Sequence, residues 1–214
     1  MEEPRLPSPL ADARHTAISA HDEWDAEQLD GDDLGAQEAD HLEIVGCRLR
    51  GVRFTGARLG HLRLVDVLAV DCELSGTIMS EAVMQRVEFR NCRMSGLVIS
   101  DAKLRDVRFH ECKLDGANFR FAKVERSVFE SCSLVDADCS GSTFATSAFD
   151  GCDLRTATFT KSTLAGIRFA GSNVEGLVGA TALRGAIVGR EQVLPLALGL
   201  FGELGIVIRE EELP

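Results

Sequence analysis

Every fifth residue from Ile44 to Val174 is apolar, twenty-seven positions in succession, opening Ile44, Leu49, Phe54, Leu59 and closing Leu164, Phe169, Val174. The residue two before each is mostly small (Cys, Ala, Ser, Thr or Val), and the other three positions of the pentad carry nearly all the charge. An amphipathic helix repeats at about 3.6 residues and a half-buried strand at about 2.0, so neither produces this pattern. A fixed short period sustained over most of a chain marks a solenoid. A longer period overlies the pentad. Cys72, Cys92, Cys112, Cys132 and Cys152 recur at twenty residues, as do Phe89, Phe109, Phe129, Phe149 and Phe169.

The units "AKLRD" (102–106), "ANFRF" (117–121) and "ADCSG" (137–141) follow the pattern A(D/N)LXX. On these residues the stretch 44–188 resembles the pentapeptide-repeat family. The resemblance implies an all-β fold, a right-handed quadrilateral parallel β-helix in which four pentapeptides make one coil. The central apolar residue i and the small residue i−2 of each unit would then both point inward. Cysteines twenty apart would stack in one column at the interstrand spacing of about 4.8 Å, and the five phenylalanines in another. Such a straight stack cannot converge four ligands on a zinc ion. Parallel side chains also keep their Cβ atoms too far apart for unstrained disulfides. The cysteines therefore read as core. Cys47 precedes Cys72 by twenty-five residues, which implies a loop or a register shift near 60–69.

Both ends of a stacked solenoid need covers. Residues 1–20 read as a disordered leader. In 21–43, Trp24, Leu29 and Leu34 keep the pentad phase with acids (Asp22, Glu27, Asp32) at i−2, which reads as an acidic cap or degenerate coil. The segment 189–214 predicts a helix over about 191–203, with Pro195 in its first turn, and a strand over 206–208. Its apolar residues Leu194, Leu196, Leu198, Leu200, Phe201 and Leu204 exceed what one cap needs. The family resemblance, to its gyrase-directed members, makes this tail a C-terminal homodimer contact.

The net charge of −11 is unevenly spread: residues 1–46 hold thirteen acids and two bases, whereas 47–214 hold twenty-one of each. Five arginines and no acid lie between Arg48 and Arg63, and a pairing of these with the acidic leader is one expectation, a solvated tail the other. Glu130, Asp136, Asp138, Asp150 and Asp153 form a second segregated group, free of bases. No run approaches the roughly 18 apolar residues of a membrane span, and the N-terminus lacks the basic start and apolar stretch of a secretory signal. The expected compartment is the cytoplasm. His15, His21, His41, His61 and His110 show no HExxH-type spacing, no serine stands out as a nucleophile, and no Gly-rich phosphate loop occurs. No enzyme, cofactor or metal is expected. The resemblance implies a rod that imitates duplex DNA, binds DNA gyrase through the Glu130–Asp153 acids and protects it from quinolones. The other reading is a rigid interaction scaffold for a different protein, and direct nucleic-acid binding ranks below both.

Overall fold

The computed structural model describes residues 1–206. The strand expected over 206–208 lies outside them except for Ile206. From His21 to Gly176 every fifth residue has positive φ, so the backbone turns a corner at each pentad. Only some of these corners are Gly. Many of the others are Asp, Asn or His, such as Asp66, Asn91 and His61, the side chains that tolerate the left-handed region best. Four corners close one coil, and each coil hydrogen-bonds in parallel to the residue twenty further on: Trp24↔Ile44, Leu49↔Ala69, Leu104↔Val124 and Phe129↔Phe149. The result is a parallel β-solenoid of about seven turns with one short C-terminal helix.

The four faces are distinguished by their inward residues. Face A carries Trp24 through Leu164, face B Leu29 through Phe169, face C Leu34 through Val174, and face D Ala39 through Phe159, each at twenty-residue steps. The i and i−2 residues of all four form one continuous buried core. Phe89, Phe109, Phe129, Phe149 and Phe169 stack down face B with nearly parallel rings, and Phe119 and Phe159 from the opposite face D and Phe144 from the adjoining face A meet them edge-on or tilted. This mixture of offset and edge contacts is the arrangement aromatic quadrupoles favour.

The buried i−2 side chains also hydrogen-bond. Cys72, Cys92, Cys112, Cys132 and Cys152 are buried, and each thiol donates to the carbonyl twenty-three residues before it, at 3.3–3.6 Å. Ser172, Ser162 and Thr77 make the same bond with a hydroxyl, to the carbonyls of Phe149, Cys139 and Phe54. A small side chain carrying a donor thus gives a buried corner carbonyl a hydrogen bond from the next coil. All seven cysteines are free. Burial pushes the Cys139 thiol above its ordinary value.

Two expectations need correction. Neither a loop nor a register shift separates Cys47 from Cys72. The twenty-residue pairing runs unbroken through 60–69, with Ile44↔Leu64, Leu49↔Ala69 and Leu64↔Met84. Cys47 belongs instead to the i−2 column of face B, beneath Val67 and Val87, while Cys72 follows Val52 on face C. The regular coils begin at His21, because residues 21–43 form a complete coil in register with the next. Residues 1–20, expected as a disordered leader, pack against the rod. His15 stacks on Trp24 at 4.3 Å, Ile18 is buried, and Ala11–Asp12 pairs with Glu27–Gln28. The acids at i−2 explain this. Asp32 accepts the His15 N–H, Asp22 accepts the Ser19 N–H, and Glu27 bonds the His15 ring, so acidic side chains at the open end bind the segment that covers it.

At the other end the pentad gives way after Val178. A single turn at Ala180–Leu183 and another at Arg190–Gln192 lead into the helix Val193–Glu203, with Pro195 in its first turn and Gly205 in a left-handed conformation just beyond. Buried Gln192 donates to the carbonyls of Phe169 and Ser172, and Glu203 accepts the N–H groups of Gly179, Ala180 and Thr181. The two side chains close the backbone groups that the last coil leaves open.

Candidate interaction surface

The expected acids do not gather on one face. Glu130 and Asp150 are neighbours on face B, Asp153 lies on face C, Asp138 on face D, and Asp136 at the corner between C and D. Most are also paired. Arg155 grips Asp153 through two nitrogens, at 2.7 Å for the shorter contact, and holds its carboxyl below the usual range. Arg120 lies 3.3 Å from Asp138, Arg168 3.9 Å from Asp150 and His110 3.3 Å from Glu130. Asp136 accepts the Thr156 hydroxyl at 2.5 Å.

The same cancellation holds at the other end of the rod. Arg53, Arg58 and Arg63 each meet the acid one coil earlier: Asp33 at 2.8 Å, Glu38 at 3.3 Å and Glu43 at 3.4 Å. The acidic first coil and the basic second coil are therefore stacked charge against charge. Each such exposed pair contributes at most about 1 kcal/mol. Their larger effect is to weaken the negative field of this end, where residues 1–63 hold thirteen acids and seven bases.

A more buried ladder runs along the corner between faces A and B, where Asp66, Arg86, Asp106 and Arg126 alternate in sign. Arg86 bonds both oxygens of Asp66, at 2.7 and 2.6 Å, and Arg126 does the same to Asp106. At Asp66 burial is the largest single influence and opposes ionisation, but the bonds from Arg86 and the Arg5 N–H and the charges of both arginines together outweigh it, and the carboxyl falls below its ordinary value. At Asp106 the Arg126 bonds dominate, with the same result. The first residues of the chain lie across this ladder: Arg5 N–H donates to Asp66 and Glu2 N–H to Asp106, both at 2.9 Å.

Two features stand apart from the cancelled surface, and the sequence reading had singled out neither. Face A carries a shallow outer groove of about 460 Å³ over the strand backbone at buried Met84, Leu104 and Val124, with exposed Val83 and the charged Lys103, Arg105, Lys123 and Glu125 around it. Neither lysine has an ion-pair partner among the described residues. Beside it, at the corner between D and A, Phe121 is 54% exposed at φ +58°, its ring over Gly141 and the Arg120 guanidinium 5.6 Å from its centroid. A bulky side chain in the left-handed region is a genuine outlier, and such strain collects at functional positions. The C-terminal helix adds an apolar surface. Leu196 packs on the core and Leu200 is half-buried, whereas Leu194, Leu198, Phe201 and Leu204 are exposed.

The profile of the pentapeptide repeat region matches residues 43–119 and 102–178. The chain belongs to the pentapeptide-repeat family. None of the curated proteins matches it. Among solved structures, a trypsin-treated variant of QnrB1, described as a plasmid-mediated fluoroquinolone resistance protein, superposes with a TM-score of 0.61 at 17% identity, over 93% of this chain and 100% of that one. HetL, a pentapeptide-repeat protein of heterocyst differentiation regulation from the cyanobacterium Nostoc sp. strain PCC 7120, matches at 15% identity and a TM-score of 0.32, over 78% and 87%. At these identities the likeness is one of fold. No helix among the described residues is long and apolar enough to cross a membrane.

Proposed function

We propose that this pentapeptide-repeat chain is a non-catalytic protein-binding rod, presented as a dimer through its C-terminal helix. The observation that supports this most is the face A groove, where exposed Val83 and the unpaired Lys103 and Lys123 give a basic patch on a chain of net charge −11. Phe121 with Arg120 at its edge supplies the aromatic–arginine anchor that protein interfaces favour. The partner segment would be apolar with acidic flanks. Exposed Leu194, Leu198, Phe201 and Leu204 would be covered by a second copy. Charge reversal by Lys103→Glu with Lys123→Glu should abolish capture of a partner that the native rod retains. Unchanged capture would move the interface elsewhere.

The second reading is a cytoplasmic DNA mimic that binds DNA gyrase. The superposition with QnrB1 favours it, whereas the paired state of Asp138, Asp150 and Asp153 counts against it. A gyrase supercoiling assay with and without a quinolone separates the readings. Inhibition or rescue at micromolar protein supports the mimic, and no effect by a folded dimer supports a different protein partner.

A further inference from the structure

The corner between faces D and A carries His21, His41 and His61 on three successive coils, followed by Glu81, Asp101, Phe121, Gly141 and Lys161. All occupy the same left-handed backbone position, so the fold tolerates acid, aromatic, glycine or base there. Nothing in the packing asks for histidine three times. The three imidazoles stack, with His21 and His41 centroids 5.2 Å apart and His41 and His61 4.6 Å apart, their planes nearly parallel. Asp40, at the end of face D, reaches both of the latter rings: Oδ1 is 2.8 Å from His61 Nδ1, and Oδ2 is 3.6 Å from His41 Nε2. One ligating atom from each of Asp40, His41 and His61 lies within 4.8 Å of the others.

We propose that Asp40, His41 and His61 form a binding site for a late first-row divalent cation of the zinc type. Two imidazole nitrogens and one carboxylate oxygen are the donors that zinc, copper and nickel select, whereas magnesium and calcium favour sites made wholly of oxygen. Ligands at about 2.0–2.1 Å on a tetrahedral ion stand roughly 3.3 Å from one another. The His41–Asp40 and His61–Asp40 separations bracket that value. The His41 and His61 rings, nearly parallel at 4.6 Å, must swing toward each other so that both nitrogen lone pairs meet one ion, which half-exposed side chains can do without movement of the ladder. All three side chains are about half exposed, which leaves the fourth position to water or to a partner's side chain. Glu81 stands on the far side of His61, its Oε2 3.6 Å from Nε2. That is the place of the outer carboxylate which fixes the tautomer of a metal-bound imidazole. The cysteines cannot compete, since all seven are buried in the folded chain.

The test is calorimetric titration of the untagged full chain with Zn²⁺, alongside His41→Asn, His61→Asn and the double variant. Asn tolerates positive φ, so the corners stay intact, and thermal melts without metal confirm that each variant is folded. Saturable one-to-one binding at micromolar Zn²⁺ is expected, with each single variant weakened by more than the roughly 10–100-fold that loss of an outer-shell partner costs. Cu²⁺ in place of Zn²⁺ should show two coupled nitrogens by electron paramagnetic resonance, and one in each single variant. The site is overturned by an absence of saturation up to millimolar metal, or by binding that the folded double variant retains.

Discussion

Truncating Phe129 to Ala tests the stacked interior most directly. The side chain is wholly buried, with the rings of Phe109 and Phe149 each 4.8 Å away along the column. Phe119 at 5.8 Å and Phe144 at 6.3 Å close it laterally with their edges. Removing a buried phenylalanine costs about 3–5 kcal/mol in lost transfer energy and residual cavity. Phe129 belongs at the top of that range, because its neighbours are held by coils on both sides and cannot collapse inward. Phe89 provides the internal control. Its one ring neighbour in the column is Phe109, at 5.2 Å, and below it stands Ala69, beside a cavity of about 20 Å³ lined by Leu49, Leu64 and Phe89 itself. Phe89→Ala should therefore cost about 1 kcal/mol less than Phe129→Ala, near the low end of the range. Urea unfolding followed by circular dichroism measures both, read as midpoint and slope together. A solenoid can lose its ends before its middle, which would lower the slope. A loss below about 1 kcal/mol for Phe129→Ala, or a Phe89→Ala loss equal to or above it, would refute the role assigned to the column.

Four further outcomes follow from the same geometry. Ala69→Val fills the cavity beneath Phe89 and should raise stability by about 0.5–1.5 kcal/mol in urea unfolding, at about 0.8 kcal/mol per buried methylene less some strain. The Asp66 and Asp106 carboxyls have folded pKa values below their ordinary ones, so their stabilisation is complete above the unfolded value near 3.9 and is lost as pH falls below it. Melting curves of Asp106→Asn should therefore lie below the native protein at neutral pH and converge with it in strong acid. Phe121→Asn relieves a left-handed aromatic and should add roughly 1 kcal/mol to stability while weakening partner capture. Leu194→Glu with Leu198→Glu should give a monomer by sedimentation with an unchanged circular dichroism spectrum, since both side chains are exposed on the helix.

The core was legible because its signal is redundant. An apolar residue every five and a like residue every twenty state the same geometry twice, so the inward positions of Phe129 or Cys112 could be read without coordinates. Outside the core the two periods must be applied together. Counting in twenties, Cys47 leads to Val67 and Cys72 leads back to Val52, so these cysteines belong to different columns. His21, His41 and His61 are also twenty apart, a spacing unlike that of helical metal motifs, because a β-helix converges ligands at its own period. The ends were harder for a physical reason. Residues 1–20 have no repeat and little apolar content, and what holds them is a set of single bonds to Asp32, Gln37, Asp66 and Asp106. Such bonds leave no periodic trace. The acidic group at 130–153 shows the converse limit. A run of like charges along the sequence of a solenoid is dealt out over different faces, and its neighbours in space lie one coil away. For Asp150 and Asp138 those neighbours include Arg168 and Arg120, not further acids. In this architecture the electrostatic pattern that a partner meets is read down the twenty-residue columns and hardly at all along the chain.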